Sequence, residues 1–211
     1  MILTVEEAII WTREGRIFII VDNDDREDEG DFFVATDNLA PEIVNFMSKE
    51  GRGLICISLP RERLEKLEMK EMCEVNSSFM TTAFYCSCEA VSGVTTGISA
   101  FDRSLTMKKL IEDGSIHDDF VYPGHCFPLM AKDLGVIERQ GHTEAATDLA
   151  SLAGLKPSGV IVEILSNNGR MAKMPELKEI SDRFGMGILT IKSLVEYRIK
   201  NGLTESLYQK W

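Results

Sequence analysis

Histidine is scarce in this 211-residue chain, which carries only His117, His125 and His142. Positive charge is also short: 23 Lys and Arg stand against 34 Asp and Glu, a formal net charge of −11. A surface this acidic repels a phosphate backbone at long range, so nucleic acid is not an expected partner. No apolar run approaches the ~18 residues needed to span a bilayer. The opening residues lack a basic region followed by an apolar stretch, so neither a membrane nor a targeting segment is expected. The five cysteines are an odd number without a CxxC pair, which fits a reducing cytoplasm better than a disulfide framework. Cys86 and Cys88, two apart in a strand-like stretch, suit packing better than zinc ligation.

What is present is the composition of a globular domain, 44% hydrophobic and 27% charged. Thr4 with Glu7 forms a capping box, and Val5, Ala8, Ile9 and Thr12 share one helical face, so a helix is expected up to Gly15. Residues 17–21 form a short β-branched apolar run, the mark of a buried strand. Pro41 opens a helix over 42–50, residues 53–58 read as a strand and 60–68 as a charged helix. Further on, the pattern predicts a half-exposed strand at 82–91, a helix at 104–113 and a strand at 128–131. Helices at 143–153, 175–184 and 192–201 then alternate with strands at 159–165 and 187–191. Helices and strands interleave throughout, without repeat or linker, so residues 1–211 are expected to form a single α/β or α+β domain.

Several constellations can carry chemistry. Residues 22–31 (DNDDREDEGD) pack seven carboxylates into ten positions, a self-repelling arrangement unless a cation or an arginine is present. Neither EF-hand register supplies the terminal bidentate Glu, so a calcium module is disfavoured, while the place after a buried strand favours a hard-cation site. Residues 139–144 (RQGHTE) open a helix whose free N–H groups attract phosphate, with Arg139 as bidentate donor and Thr143 as hydroxyl or simple N-cap. His125 and His142 each follow a glycine, which permits close approach of a ligand, whereas His117 reads as a surface residue. Glu163 is a lone carboxylate in an apolar strand, either on its exposed face or tuned as an acid or base.

Six motifs occur together: DREDEGD at 25–31, RGLIC at 52–56, GVTTGISAFDR at 93–103, YPGHCFPL at 122–129, RQGHTEAATDLASLAG at 139–154 and PSGVIVEIL at 157–165. In this order they resemble the 3,4-dihydroxy-2-butanone 4-phosphate synthase family over about residues 4–200. The resemblance implies an α+β fold of three α-β-α layers around a mixed twisted sheet, and homodimers with active sites at the subunit interface. It implies a lyase of riboflavin biosynthesis that converts D-ribulose 5-phosphate to L-3,4-dihydroxy-2-butanone 4-phosphate and formate. Enediolate formation, dehydration, skeletal rearrangement and formate release are the implied steps, with Mg2+ as cofactor. Imidazole is a softer ligand than magnesium favours, so Mn2+ is expected to substitute.

Carried over by motif, Glu27 and His142 are implied as metal ligands, and Arg26, Glu27 and Asp31 as substrate contacts. Residues Arg139, Gln140, Gly141, His142 and Thr143 are implied as the phosphate-binding segment, and Glu163 as a further substrate contact. His125 and Glu163 are implied as essential for catalysis; Asp31 joins them as an acid/base candidate because proton removal and return need groups with adjusted pKa values. Their division of labour is open at this stage, as is whether Cys56 lines the pocket or only packs. Many relatives carry a second, GTP cyclohydrolase II domain, for which 211 residues leave no room, so the stand-alone form is expected. A pentose-phosphate isomerase would share the metal and the phosphate anchor, and an acidic metal-binding module would share only the tract.

Overall fold

The computed structural model describes residues 1–23 and 26–208; Asp24 and Asp25 of the acidic tract lie outside the described residues. Helix α1 (Val5–Arg13) opens on the expected capping box, with the Glu7 amide donating to Thr4 Oγ1 at 3.2 Å and the Thr4 amide to Glu7 Oε2 at 2.8 Å. Strand β1 (Phe18–Val21) runs into the acidic tract, and the chain returns antiparallel as β2 (Gly30–Ala35). The sequence pattern leaves β2 unread, because Asp31 interrupts its apolar run. The tract is therefore the connection of a hairpin, and Asp31 belongs to a strand rather than to the loop.

The remaining elements are α2 (Pro41–Phe46), β3 (Cys56–Pro60), α3 (Arg61–Lys66), β4 (Ala83–Phe84), β5 (Cys88–Ala90), α4 (Ala100–Ile111), β6 (Phe120–Ala131), α5 (His142–Leu152), β7 (Gly159–Glu163), α6 (Met174–Phe184), β8 (Ile188–Thr190) and α7 (Ile191–Lys200). A π-helical turn, Met47–Gly51, continues α2. The expected strand at 82–91 is broken into β4 and β5. Strand β6 begins eight residues before the expected 128, so His125 sits in a strand and not in a glycine-preceded loop.

The sheet order is β4-β6-β3-β7-β2-β1-β8, with β5 on β6. Pairs β1–β8 and β3–β6 are parallel and the others antiparallel, which makes the sheet mixed. Side chains alternate between its faces. Ile19, Val21, Phe32, Val34, Ile57 and Val160 pack with Val44, Leu64, Met107 and Leu177 from α2, α3, α4 and α6. Phe18, Ile20, Phe33, Cys56, Ile161 and Leu189 pack with Ala8, Leu149 and Leu194 from α1, α5 and α7. The three-layer α-β-α architecture follows from these two apolar faces.

Helix α5 is anchored from behind. The buried Arg198 of α7 donates to Asp148 Oδ2 at 2.6 Å and to the carbonyls of Leu134, Leu203 and Glu205, while Tyr208 Oη donates to Asp148 Oδ1 at 2.8 Å. Burial pushes the Asp148 carboxyl up to about 6 even with the Arg198 guanidinium pulling the other way. The chain after α7 is thus tied to the helix that carries His142 at its first turn.

Candidate active site

Strand alternation collects the chemical groups. Asp31 lies two residues before Phe33, and Glu163 two residues after Ile161, so both share the α5 face with Cys56. In the antiparallel register of β2 and β7, Asp31 and Glu163 are direct cross-strand partners. Asp31 is buried, and its Oδ1 has no hydrogen-bond partner. Burial, then the facing Glu163 and the carboxylates of Glu27, Glu29 and Asp22, hold Asp31 well above the usual carboxylate range. Glu163 Oε2 accepts the Leu54 amide at 2.8 Å. Gly53 makes this approach possible: a Cβ there would lie 2.5 Å from Glu163 Oε2 and 2.6 Å from its carbonyl oxygen.

The hairpin tract folds about Asp22, which the sequence reading did not single out. Its Oδ2 accepts from Arg26 Nη1 at 2.8 Å and from the Glu27 amide at 3.1 Å, and its Oδ1 accepts from the Glu29 amide at 2.9 Å. Arg26 also donates to Glu27 Oε2 at 2.7 Å. Self-repulsion of the tract is thus relieved by an internal arginine and by backbone N–H groups. Glu27 Oε2 lies 3.8 Å from His142 Nδ1, and Asp22, Glu27 and His142 can place one ligand atom each within 4.8 Å of one another. His142 Nε2 is buried without a hydrogen-bond partner. Burial lowers the pKa of His142, against the pull of Asp22 and Glu27, and so favours the neutral ring that a metal ligand must have. Both Asp22 oxygens and Glu27 Oε2 accept donors within the tract, so the three residues form one group in which Arg26 neutralises part of the negative charge.

Gly141 is the N-cap of α5 and makes no side-chain cap, so Thr143 lies within the first turn and not at the cap. The first-turn residues His142 and Thr143 line the cleft, where the helix start carries amides without an intrahelical partner. Gln140 Oε1 accepts Asn23 Nδ2 at 3.0 Å, joining the helix entry to the acidic hairpin. Arg139 donates to Glu144 Oε2 at 2.6 Å, to the Met80 carbonyl at 3.1 Å and to Thr82 Oγ1 at 2.9 Å. Glu144, buried, and Thr82 were missed by the sequence reading, although Glu144 closes the RQGHTE motif.

Arg26, Glu27, Asp31, Arg139, His142, Thr143 and Glu163 line one cleft of about 150 Å3, together with Cys56, Glu29, Thr82 and Phe84. Cys56 is therefore at the cleft wall, and burial keeps its thiol well above the usual range, as an inert wall residue. His125 is not among the described residues lining this cleft. Its ring is half exposed on β6, with Nδ1 against Glu89 Oε1.

A family model for 3,4-dihydroxy-2-butanone 4-phosphate synthase matches residues 6–197. The chain belongs to this family. A 3,4-dihydroxy-2-butanone 4-phosphate synthase of Agrobacterium fabrum is 44% identical over 209 residues, covering 99% of this chain and 98% of the relative. The riboflavin biosynthesis protein RibBA of Cytophaga hutchinsonii is 48% identical over 208 residues, and the chain spans about half the length of several such relatives, 51% in this case. A solved 3,4-dihydroxy-2-butanone 4-phosphate synthase in complex with two magnesium ions superposes with a TM-score of 0.90 at 32% identity, over 96% of this chain and 99% of the other. The two-domain synthase RibBX of A. baumannii gives 0.91 at 42% identity, covering 94% of this chain and 59% of that one. The mixed sheet between helical layers is thus the fold of the family. No helix among the described residues is long and apolar enough to cross a membrane.

Proposed function

We propose that this chain is a lyase that converts D-ribulose 5-phosphate to L-3,4-dihydroxy-2-butanone 4-phosphate and formate for riboflavin synthesis, with residues 1–211 acting as one domain. The observation that carries this reading is the convergence in one cleft of the Glu27–His142 pair, the Asp31–Glu163 pair and the Arg139-flanked start of α5. Remote phosphate binding orients the reacting end of a ketose. The first-turn amides of α5, with Thr143 and the Arg139 guanidinium pinned by Glu144, suit that anchor.

In the same cleft, burial and the facing Glu163 raise the Asp31 carboxyl well above the usual range, which favours its protonated form. Two facing carboxyl groups at one cleft can give and take a proton, which is what enediolate formation and its reversal on a neighbouring carbon require. Arg26, held by Asp22 and Glu27, supplies fixed positive charge toward substrate oxygens.

Glu27 and His142 are assigned as holders of a magnesium ion, with manganese able to replace it; His142 Nδ1, 3.8 Å from Glu27 Oε2, and the anionic neighbours fit a divalent cation. Such an ion stabilises negative charge as it develops on ketose oxygens.

His125 stands outside its own chain's cleft, on a surface where Val91, Ile98, Phe101 and Val121 are exposed. A homodimer covering that apolar surface would remove it from water and bring His125 toward a second copy's cleft. Five unpaired cysteines agree with a cytoplasmic enzyme.

The deciding experiment is incubation of the purified chain with ribulose 5-phosphate and magnesium while formate is measured. Formate released in proportion to substrate consumed supports the proposal. Consumption without formate would point to an isomerase, and no consumption to a metal-binding module.

A further inference from the structure

The Glu89–His125 pair is a device that neither the metal group nor the cleft explains. Glu89 lies on β5 and pairs in the sheet with Val121 of β6, while His125 stands farther along β6. The Glu89 side chain is only 16% exposed, and the His125 side chain it touches is 47% exposed. A largely buried carboxylate therefore holds the inner nitrogen of a ring whose outer edge faces solvent.

The surroundings are shaped for that carboxylate. Gly97 has φ +85°, and a Cβ on it would overlap the Glu89 carboxylate; a Cβ on Gly124 would overlap the Cys88 backbone and crowd Glu89 Cγ. The loop that brings Gly97 there is fixed by Asp102, which accepts the Thr95 and Gly97 amides at 3.1 Å each and Thr95 Oγ1 at 2.8 Å. Two glycines and an ordered loop thus fit closely around one side chain on the protein's edge.

We propose that Glu89 is a positioning residue for His125. A carboxylate can only accept, so the contact selects the tautomer with hydrogen on Nδ1 and leaves the Nε2 lone pair pointing outward, as a proton acceptor. The contact also removes rotation of the ring about its χ angles, so that Nε2 is presented in one direction rather than many. The role rests on the reading of His125 as an essential acid/base residue.

The test combines kinetics with ring spectroscopy on Glu89→Ala, Glu89→Gln and His125→Ala. With three histidines in the chain, the nitrogen-15 signals of His125 are identified by their loss in His125→Ala. The parent protein should show hydrogen on Nδ1 of the neutral His125 ring, and Glu89→Ala should show a mixture of both tautomers. Turnover of ribulose 5-phosphate should fall ~10–100-fold in Glu89→Ala, the cost of losing a partner that orients a functional imidazole. KM should stay within about twofold, since no substrate-binding group is lost. Glu89→Gln, whose carbonyl can still accept Nδ1–H, should recover part of the turnover.

Loss of turnover in His125→Ala together with parental kcat or an unchanged tautomer in Glu89→Ala would overturn the proposal alone. Full turnover in His125→Ala would overturn the catalytic reading of His125 and this role with it. Thermal unfolding of each variant separates either result from misfolding; a Glu89→Ala protein that is folded, with normal KM, lowered kcat and a mixed tautomer, supports the proposal.

Discussion

Replacing Glu163 by Gln should stabilise the protein at alkaline pH while nearly abolishing its turnover. Directly opposed residues on antiparallel strands have Cβ atoms about 4.5–5.5 Å apart, and Asp31 and Glu163 are such a pair. Two full charges ~5 Å apart at an effective dielectric of ~20 repel by about 3 kcal/mol. The raised Asp31 carboxyl relieves part of this by favouring its protonated form, so a gain of about 1–2 kcal/mol is expected. The amide of Gln still accepts the Leu54 N–H, so no hydrogen bond is lost. The sign follows from linkage. Asp31 has its carboxyl raised above the ordinary 3.8, so the folded state holds a proton that the unfolded chain has released, and stability falls as pH rises through that window. Removing the Glu163 charge lowers the raised value and shrinks the loss, so the variant's advantage should be small near pH ~4 and full near pH ~8. Urea unfolding at both pH values, in chelator so that no bound metal contributes, measures the difference. Formate release should drop ~10²–10⁴-fold, the usual cost of losing a positioned acid or base. A variant less stable than the parent at the higher pH, or a gain independent of pH, would refute the cross-strand repulsion. Undiminished turnover would leave Glu163 as a cleft-wall residue without a part in the chemistry.

Chelation should abolish turnover and magnesium or manganese should restore it, and Glu27→Gln and His142→Ala should each weaken magnesium binding in a calorimetric titration; full activity in excess chelator contradicts both assignments. Arg139→Ala should raise KM for ribulose 5-phosphate strongly, and ribulose without phosphate should be a poor substrate for the parent; an unchanged KM in the variant would place the anchor elsewhere. Asp148→Ala should leave the buried Arg198 uncompensated and cost about 3–5 kcal/mol, lowering the thermal midpoint by roughly 6–20 °C; a loss below ~1 kcal/mol would show that the network contributes little.

Local signals in the chain were enough for the helices with clear ends. Thr4 with Glu7, Pro41 at a first helical position and the left-handed Gly15 just past α1 each act within one turn of the backbone, so their effect is written in adjacent residues. The buried strands at β1, β3 and β7 were legible for a similar reason, being short, mostly apolar runs bounded by turn or helix signals. The family to which the chain belongs was also readable, because six spaced motifs are a property of the chain and not of its folding.

What no local pattern contained was who faces whom. Asp31 broke the apolar run of β2, and only the partner strands reveal that this residue is the strand's inward-facing position opposite Glu163. His125 read as a loop residue beside glycine, yet the pairing of β5 and β6 makes it a strand residue held by Glu89. Asp22 was one acidic residue among seven until the hairpin brought three donors onto it. Register, burial and the electrostatic field at a carboxyl depend on residues far apart in sequence. These quantities exist once the sheet has formed, which is why the ingredients of the site were visible in the chain and their arrangement was decided by tertiary packing.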